Sequence, residues 1–217
     1  SFQPEAIHLL QWHMDSLINE FQPDQVNYLD PVSCGIMSPV TQVLLEKGAT
    51  PKVQQVQAIA LDCSEHLLRR SLSPRHRALT GWATRNLEME VVLATQQGVT
   101  TEITSGSGWG LCEELLKRNR AFYVRGNHNG QPLAESFFVH NSRTCQLVYS
   151  HQSEQLAGRP ALYGLVWHGM LHARRLGCSH FDLVENFAAS PNFNEVALVA
   201  NGFGGKATTR LKVTLAR

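Results

Sequence analysis

Four side chains in the second half of the chain have the chemistry to move protons, and they stand at the ends of two strand-like runs. Asp182 sits between Phe181 and Leu183, and Glu185 leaves the same run. A carboxylate among apolar neighbours is harder to ionise, which suits it to act as a general base. Tyr149 and His151 close the other run, and either can exchange a proton with a reacting group. Glu135 lies on the run before that one. Each also has an ordinary use. Asp182 suits a buried loop anchor, Glu185 a helix cap near Asn192, Tyr149 core packing and His151 a loop. Residue type alone favours the ordinary use, so the case rests on the elements that position these groups.

The elements follow from periodicity and turn chemistry. A strand from Ala121 runs to His128-Asn129-Gly130, and Asn-Gly is a strong hairpin signal. The run 133–140 leads to a turn at Asn141-Ser142-Arg143, then to a strand over 144–150. A polar segment, 151–159, precedes a helix over 160–176 and a strand over 180–184. This order can splay the strands 144–150 and 180–184 and bring a helix N-terminus to the gap, where an anion binds well. Upstream, Ile7, Leu10, Met14, Leu17, Ile18 and Phe21 give one helical stripe after Pro4. A strand over 26–29 follows, then a helix from Ser38-Pro39 to Gly48 and a strand over 53–61. Asp62 or Ser64 caps the next helix, Pro74 opens another that ends near Asn86, and 87–94 reads as a strand. Gly106-Ser107-Gly108 links it to a helix over 111–118.

Composition narrows the function classes. A chain of 217 residues, 43% hydrophobic, holds one large domain or two small ones. Nineteen basic against eighteen acidic residues leave a net charge of +1, which gives no global pull toward nucleic acid or anionic membrane. Five cysteines, odd in number and without a C-x-x-C pair, read as reduced thiols of a cytoplasmic protein. No apolar run reaches membrane-spanning length, and no secretory leader is visible. The first residue is Ser1 rather than Met, as in a processed or truncated chain. Rival motifs are weaker. His168 and His172 have zinc-ligand spacing, but no H-E-x-x-H and no third ligand accompany them, so they read as surface or rim residues and no metal is expected. No P-loop, dinucleotide loop or G-x-S-x-G elbow is present. Arg69, Arg70, Arg75, His76, Arg77 and Arg85 can meet phosphate, although such groups are commonly solvated helix faces.

Three segments carry a family resemblance. The first is Leu67-Leu68-Arg69-Arg70-Ser71-Leu72-Ser73-Pro74-Arg75-His76-Arg77, continuing to Ala83 and Leu87-Glu88-Met89-Glu90-Val91. The second is Arg174-Arg175-Leu176-Gly177-Cys178-Ser179-His180-Phe181-Asp182-Leu183. The third is Asn201-Gly202-Phe203-Gly204-Gly205. Together, from about Ile59 to the C-terminus, they resemble the FemABX-like, BioF2-like branch of the GNAT acyltransferase superfamily. The resemblance implies an α/β (α+β) fold with a mixed, mainly antiparallel sheet flanked by helices. Leu44-Leu45-Glu46-Lys47-Gly48 also echoes Leu198-Val199-Ala200-Asn201-Gly202, a helix end with a glycine stop. Residues 1–61 are therefore expected to form a partial GNAT-like repeat before an acyltransferase domain at 62–217.

What the resemblance implies for chemistry is specific. Acetyl-CoA or another acyl-CoA would lie between the splayed strands, its pantetheine arm pairing with backbone at Leu147 and Val148. The pyrophosphate would meet the helix N-terminus through Gln155, Gly158, Arg159 and Ala161. Pro160 departs from the superfamily's pattern, because it replaces a small residue that donates an N–H. Glu185 and Asp182 are the expected bases, Tyr149 the donor to a leaving thiolate, with His151 beside it. The implied activity is N-acylation of a small-molecule amine, such as an amino sugar or cell-envelope precursor. A FemABX-type aminoacyl-tRNA-dependent transferase is the rival; no coiled-coil arm and near-neutral charge argue against tRNA. A non-catalytic GNAT-like module is the third reading. Sheet edges left by a half-repeat would favour a homodimer, and no membrane association is expected.

Overall fold

The computed structural model describes residues 4–30, 37–93, 109–184 and 202–216. Glu185, Asn192, Cys34, the Gly106-Ser107-Gly108 link and residues 198–201 of the repeat motif lie outside the described residues. The chain divides into two compact units. The first takes the described residues of Ser1–Gln55, Thr100–Cys112 and Thr209–Arg217; the second takes those of Val56–Val99 and Glu113–Thr208.

The first unit holds α1 (Pro4–Phe21), β1 (Gln25–Leu29), α2 (Pro39–Glu46), the start of β2 (Thr50–Ala60) and the end of β8 (Lys206–Ala216). β1 and β8 pair antiparallel from Gln25↔Ala216 to Leu29↔Lys212. The Ser38 hydroxyl caps α2 by accepting the Thr41 N–H at 3.2 Å, with Pro39 in the first turn, where its missing N–H costs nothing. Asp30, only 3% exposed, fixes that cap by accepting the Ser38 N–H at 2.9 Å. Leu44, Ala49 and Val213 form the small core, with Met14, Tyr28 and Leu215 packed around it.

The second unit holds the rest of β2, α3 (Glu65–Ser71), α4 (Pro74–Asn86), β3 (Glu88–Val92), β4 (Ala121–His128), β5 (Gln131–His140), β6 (Thr144–Gln152), α6 (Ala161–Arg175) and β7 (His180–Val184). α5 (Trp109–Lys117) precedes β4. The sheet order is β2-β7-β6-β5-β4-β3. β6 and β7 are parallel, as a helical crossover requires, and the other pairs are antiparallel. The hairpin between β4 and β5 turns at Asn129 (φ 52°) and Gly130 (φ 75°), the two positive φ values of a type I′ turn. Ser64 and Ser73 cap α3 and α4 by accepting the Leu67 and His76 amides.

The two faces of this sheet differ. On one face Phe122, Val124, Phe138, Leu147 and Phe181 join Leu165, Val166 and Met170 of α6 in a single core. Gly169 lets the helix touch the sheet: a Cβ there would fall 2.5 Å from the Phe138 ring. The other face carries Tyr123 and Phe137, both fully buried, with ring centroids 4.7 Å apart.

The Gly202-Phe203-Gly204-Gly205 segment has a steric explanation. Phe203 is fully buried near the His76 and Tyr163 rings. A Cβ at Gly202 would lie 1.9 Å from His76 Nδ1, and one at Gly205 2.7 Å from the Ala58 carbonyl oxygen. Gly204 adds a φ of +80°. The chain can thread here only without side chains. No helix of the described residues is long and apolar enough to cross a membrane.

Candidate active site

The parallel ladder between β6 and β7 is short. It runs from Thr144↔His180 to Gln146↔Asp182, three residue pairs. β7 nevertheless continues to Val184, held by β2 through Val56↔Val184 to Ala60↔His180. β6 continues to Gln152, held by β5. Each strand keeps its outer partner while the two part from each other. Among the described residues the β6–β7 register does not continue beyond Gln146↔Asp182. An edge of this kind can pair with an extended ligand.

A β-bulge marks the parting. Phe137 pairs with Tyr149 and Phe138 with Leu147, so Val148 is the extra residue on β6. A bulge bends its strand and increases local twist, which carries β6 away from β7. It also changes the facing. Leu147 sits opposite Phe138 in the α6 core, so regular alternation would send Tyr149 and His151 there too. The inserted Val148 sends them to the opposite face, alongside Phe137 and Glu135.

Three of the sequence-derived catalytic candidates therefore share one sheet face, with Asp182 opposite Gln146 on the same side. They do not converge on one point. Asp182, 3% exposed, is at the base of the fork, whereas Tyr149 lies three residues farther along β6, about 10 Å at the usual strand rise. Tyr149 and His151 are half-buried on the diverging prong. Glu185, beyond Val184, lies outside the described residues.

Sequence reasoning passed lightly over Glu135 and did not single out Arg125. These residues face each other across β4 and β5, with Arg125 Nε 3.5 Å from Glu135 Oε2 and side chains 14% and 10% exposed. Glu135 is in turn opposite His151 on β6. A row of polar groups thus crosses three strands toward the prong. Only strand register shows it; no spacing in the sequence does.

The donor segments are laid out as follows. Leu147 is buried and Val148 is the bulge residue. Gln155, Gly158 and Arg159 are exposed between a 3₁₀ turn (Glu154–Leu156) and α6. Gly158 has a φ of +71° with open space around it. The Arg159 N–H donates to the Leu156 carbonyl at 2.8 Å, and the Ala161 N–H to the Arg159 carbonyl at 2.9 Å. Those two amides are engaged internally, so an anion would meet Gly158 and the α6 first turn, including Leu162. Pro160 takes the N-cap position without a side-chain cap. Ser153 Oγ and Gln152 Oε1 are buried here with no hydrogen-bond partner among the described residues. The Arg159 guanidinium stands 5.9 Å from the Trp82 ring centroid on α4, a cation–π contact.

His168 and His172 sit at the rim that the helical wheel implies: both rings are half-buried, and each Nε2 is buried without a partner among the described residues. His172 packs edge-on against Phe122 at 4.5 Å. Burial, followed by the nearby Arg175 charge, lowers both pKa values. A cleft of about 490 Å³ also opens at the far edge of the sheet, lined by Arg85, Leu87, Met89, Asn127, His128 and His168, among others. It lies at β3, with β4 and β5 between it and the fork, and brings together none of the expected catalytic side chains. The fork, and not this cleft, carries the sequence-derived candidates Asp182, Tyr149 and His151.

A mixed sheet with a parallel fork, a bulged prong and a crossover helix is a GNAT-like fold of the FemABX type. The whole-chain comparison agrees. The chain is similar to FemX, with TM-score 0.57 and 10% identity over 98% of this chain and 77% of that one. It is similar to the C-terminal domain (DUF2156) assigned to a lysylphosphatidylglycerol synthetase of Agrobacterium fabrum, with TM-score 0.54 and 15% identity over 94% and 71%. No protein-family model matches the sequence, and no curated protein matches it.

Proposed function

We propose that the protein is an acyl-CoA-dependent N-acyltransferase acting on a small-molecule amine such as an amino sugar or cell-envelope precursor. The observation that carries this is the fork: β6 and β7 pair for three residues and then part, each retained by its outer neighbour. A thioester donor laid along the β6 prong would pair its pantetheine amides with that backbone near Leu147 and Val148. Its pyrophosphate would reach Gln155, Gly158 and Arg159 at the start of α6. In the reaction the amine nitrogen bonds to the thioester carbonyl carbon, the C–S bond breaks, and the amine loses a proton. Asp182 or Glu185 takes that proton, directly or through water. Tyr149, with His151 beside it, supplies one to the departing thiolate.

The test has two parts. Acetyl-CoA should bind saturably and raise the melting temperature. With the fold intact by circular dichroism, Asp182→Asn or Glu185→Gln should lower turnover about 100-fold. A protein that ignores acetyl-CoA but binds tRNA in a salt-sensitive way would be the aminoacyl-tRNA-dependent kind instead.

A further inference from the structure

The cleft at the β3 edge has recognition chemistry of its own. Its walls come from the end of α4, the start of β3, the β4–β5 hairpin and, from α6, His168. Side chains tie this frame together. The Asn86 side-chain amide donates to the Trp82 carbonyl at 2.7 Å, and His128 Nδ1 donates to the Asn86 carbonyl at 3.3 Å. Asn127 Nδ2 donates to Glu90 Oε2 at 3.2 Å, next to a register shift between Gly126 and Asn127 that bends the hairpin. A Cβ at Gly126 would crowd Leu87 Cδ1 at 3.1 Å, so the glycine lets β4 lie close. The cleft's volume of about 490 Å³ suits a small molecule.

Opposite charges share the cleft without meeting. Arg85 and Glu88 both line it and both are exposed, yet neither forms an ion pair among the described residues. Burial and the Arg175 charge hold His168 below the usual histidine pKa, so it adds no charge at neutral pH. α4 ends here, and the carbonyls of its last turn form the negative end of the helix dipole. The cleft therefore offers a guanidinium to a carboxylate, and a carboxylate with helix carbonyls to an ammonium group. A plain anion would face Glu88 and a plain cation would face Arg85; a molecule carrying both charges satisfies both. Leu87 and Met89 supply apolar surface.

We propose that this cleft binds a free α-amino acid with an apolar side chain, its carboxylate on Arg85, its ammonium group on Glu88 and its side chain against Leu87 and Met89. Guanidinium–carboxylate and carboxylate–ammonium contacts are charge-assisted hydrogen bonds, the strong kind. The site stands apart from the acyl-CoA reading, because none of the residues assigned to the donor lines the cleft.

L-leucine is the probe, titrated into the full chain and followed by NMR at low ionic strength. Leucinamide, which lacks the carboxylate, and 4-methylpentanoate, which lacks the amine, are the controls. Leucine should saturate with a Kd of about 1 mM or tighter, and each control should bind about tenfold more weakly. Arg85→Gln should bring leucine down to the level of leucinamide, and Glu88→Gln to that of 4-methylpentanoate. Controls that bind as well as leucine would overturn the proposal, as would leucine binding left unchanged by either variant. The absence of saturable leucine binding up to about 10 mM would overturn it too. Should a variant misfold, the comparison of the three probes on the wild type decides alone.

Discussion

The two faces of one sheet are built on different principles. The α6 face of the second unit is apolar and closely packed, with Phe122 and Phe138 stacked at 5.1 Å and Phe138 seated against the bare backbone of Gly169. The other face buries Tyr123 and Phe137 but also Arg125, Glu135 and Asp182. Burying apolar surface stabilises directly. Burying an ion pair seldom does, because desolvation offsets most of the Coulomb attraction. The comparison teaches that the α6 face holds the fold by apolar packing, whereas the opposite face mixes buried rings with buried charge. The bulge at Val148 is the device that connects them, since it transfers Tyr149 and His151 from the first face to the second.

The largest effect should come from the packed face. Phe138→Ala removes a fully buried ring, and the fixed helix backbone above it cannot collapse into the space. Denaturant unfolding should show a loss of about 4 kcal/mol. The opposite face should behave differently. Glu135→Gln alone leaves Arg125 charged and poorly partnered, and should cost about 3 kcal/mol. Replacing both, Arg125→Met with Glu135→Leu, should return stability to within about 1 kcal/mol of wild type. If the double replacement proves as damaging as Phe138→Ala, the pair is a structural pillar and the division between faces is wrong.

Much of the fold was legible because local chemistry and tertiary structure agree. Asn129-Gly130 adopts the two positive φ values its sequence announces, and Ser64 and Ser73 cap the helices that follow them. Gly48 stops α2 at a φ of 87°. The crossover helix spans Ala161–Arg175 against an expected 160–176, a difference of end fraying. β6 extends to Gln152, beyond the expected 150, because β5 continues to pair with it through Ala134. The bulge was not read, although Leu147-Val148, two adjacent aliphatics in a run with alternating neighbours, is its trace in the sequence. The Arg125–Glu135 pair was invisible because it depends on register between strands. The helical wheel placed the two histidines at a rim, but not how far they are covered, because that depends on which ring neighbours close over them. His172 is covered in part by Phe122, fifty residues away by sequence.

The smallest expected effect uses those histidines to sharpen the contrast between faces. His140, His168 and His172 belong to the α6 side, and burial is the leading cause of the lowered pKa of each. The charges of Arg120 near His140, and of Arg175 near His168 and His172, act in the same direction. Their folded-state values lie below the ordinary histidine value of about 6.5, which the unfolded chain recovers. As pH falls through that value, the unfolded state takes up protons that the folded state resists. Stability is therefore fully present above about pH 6.5 and declines below it. This sign is opposite to that of a histidine gaining a carboxylate partner. The melting temperature should fall between about pH 7.5 and 5.5. His172→Phe, which keeps an edge-on ring against Phe122 and cannot take up a proton, should flatten part of that fall. An unchanged slope in the variant would mean that the acid sensitivity originates on the polar face, reversing the assignment of which face is the inert one.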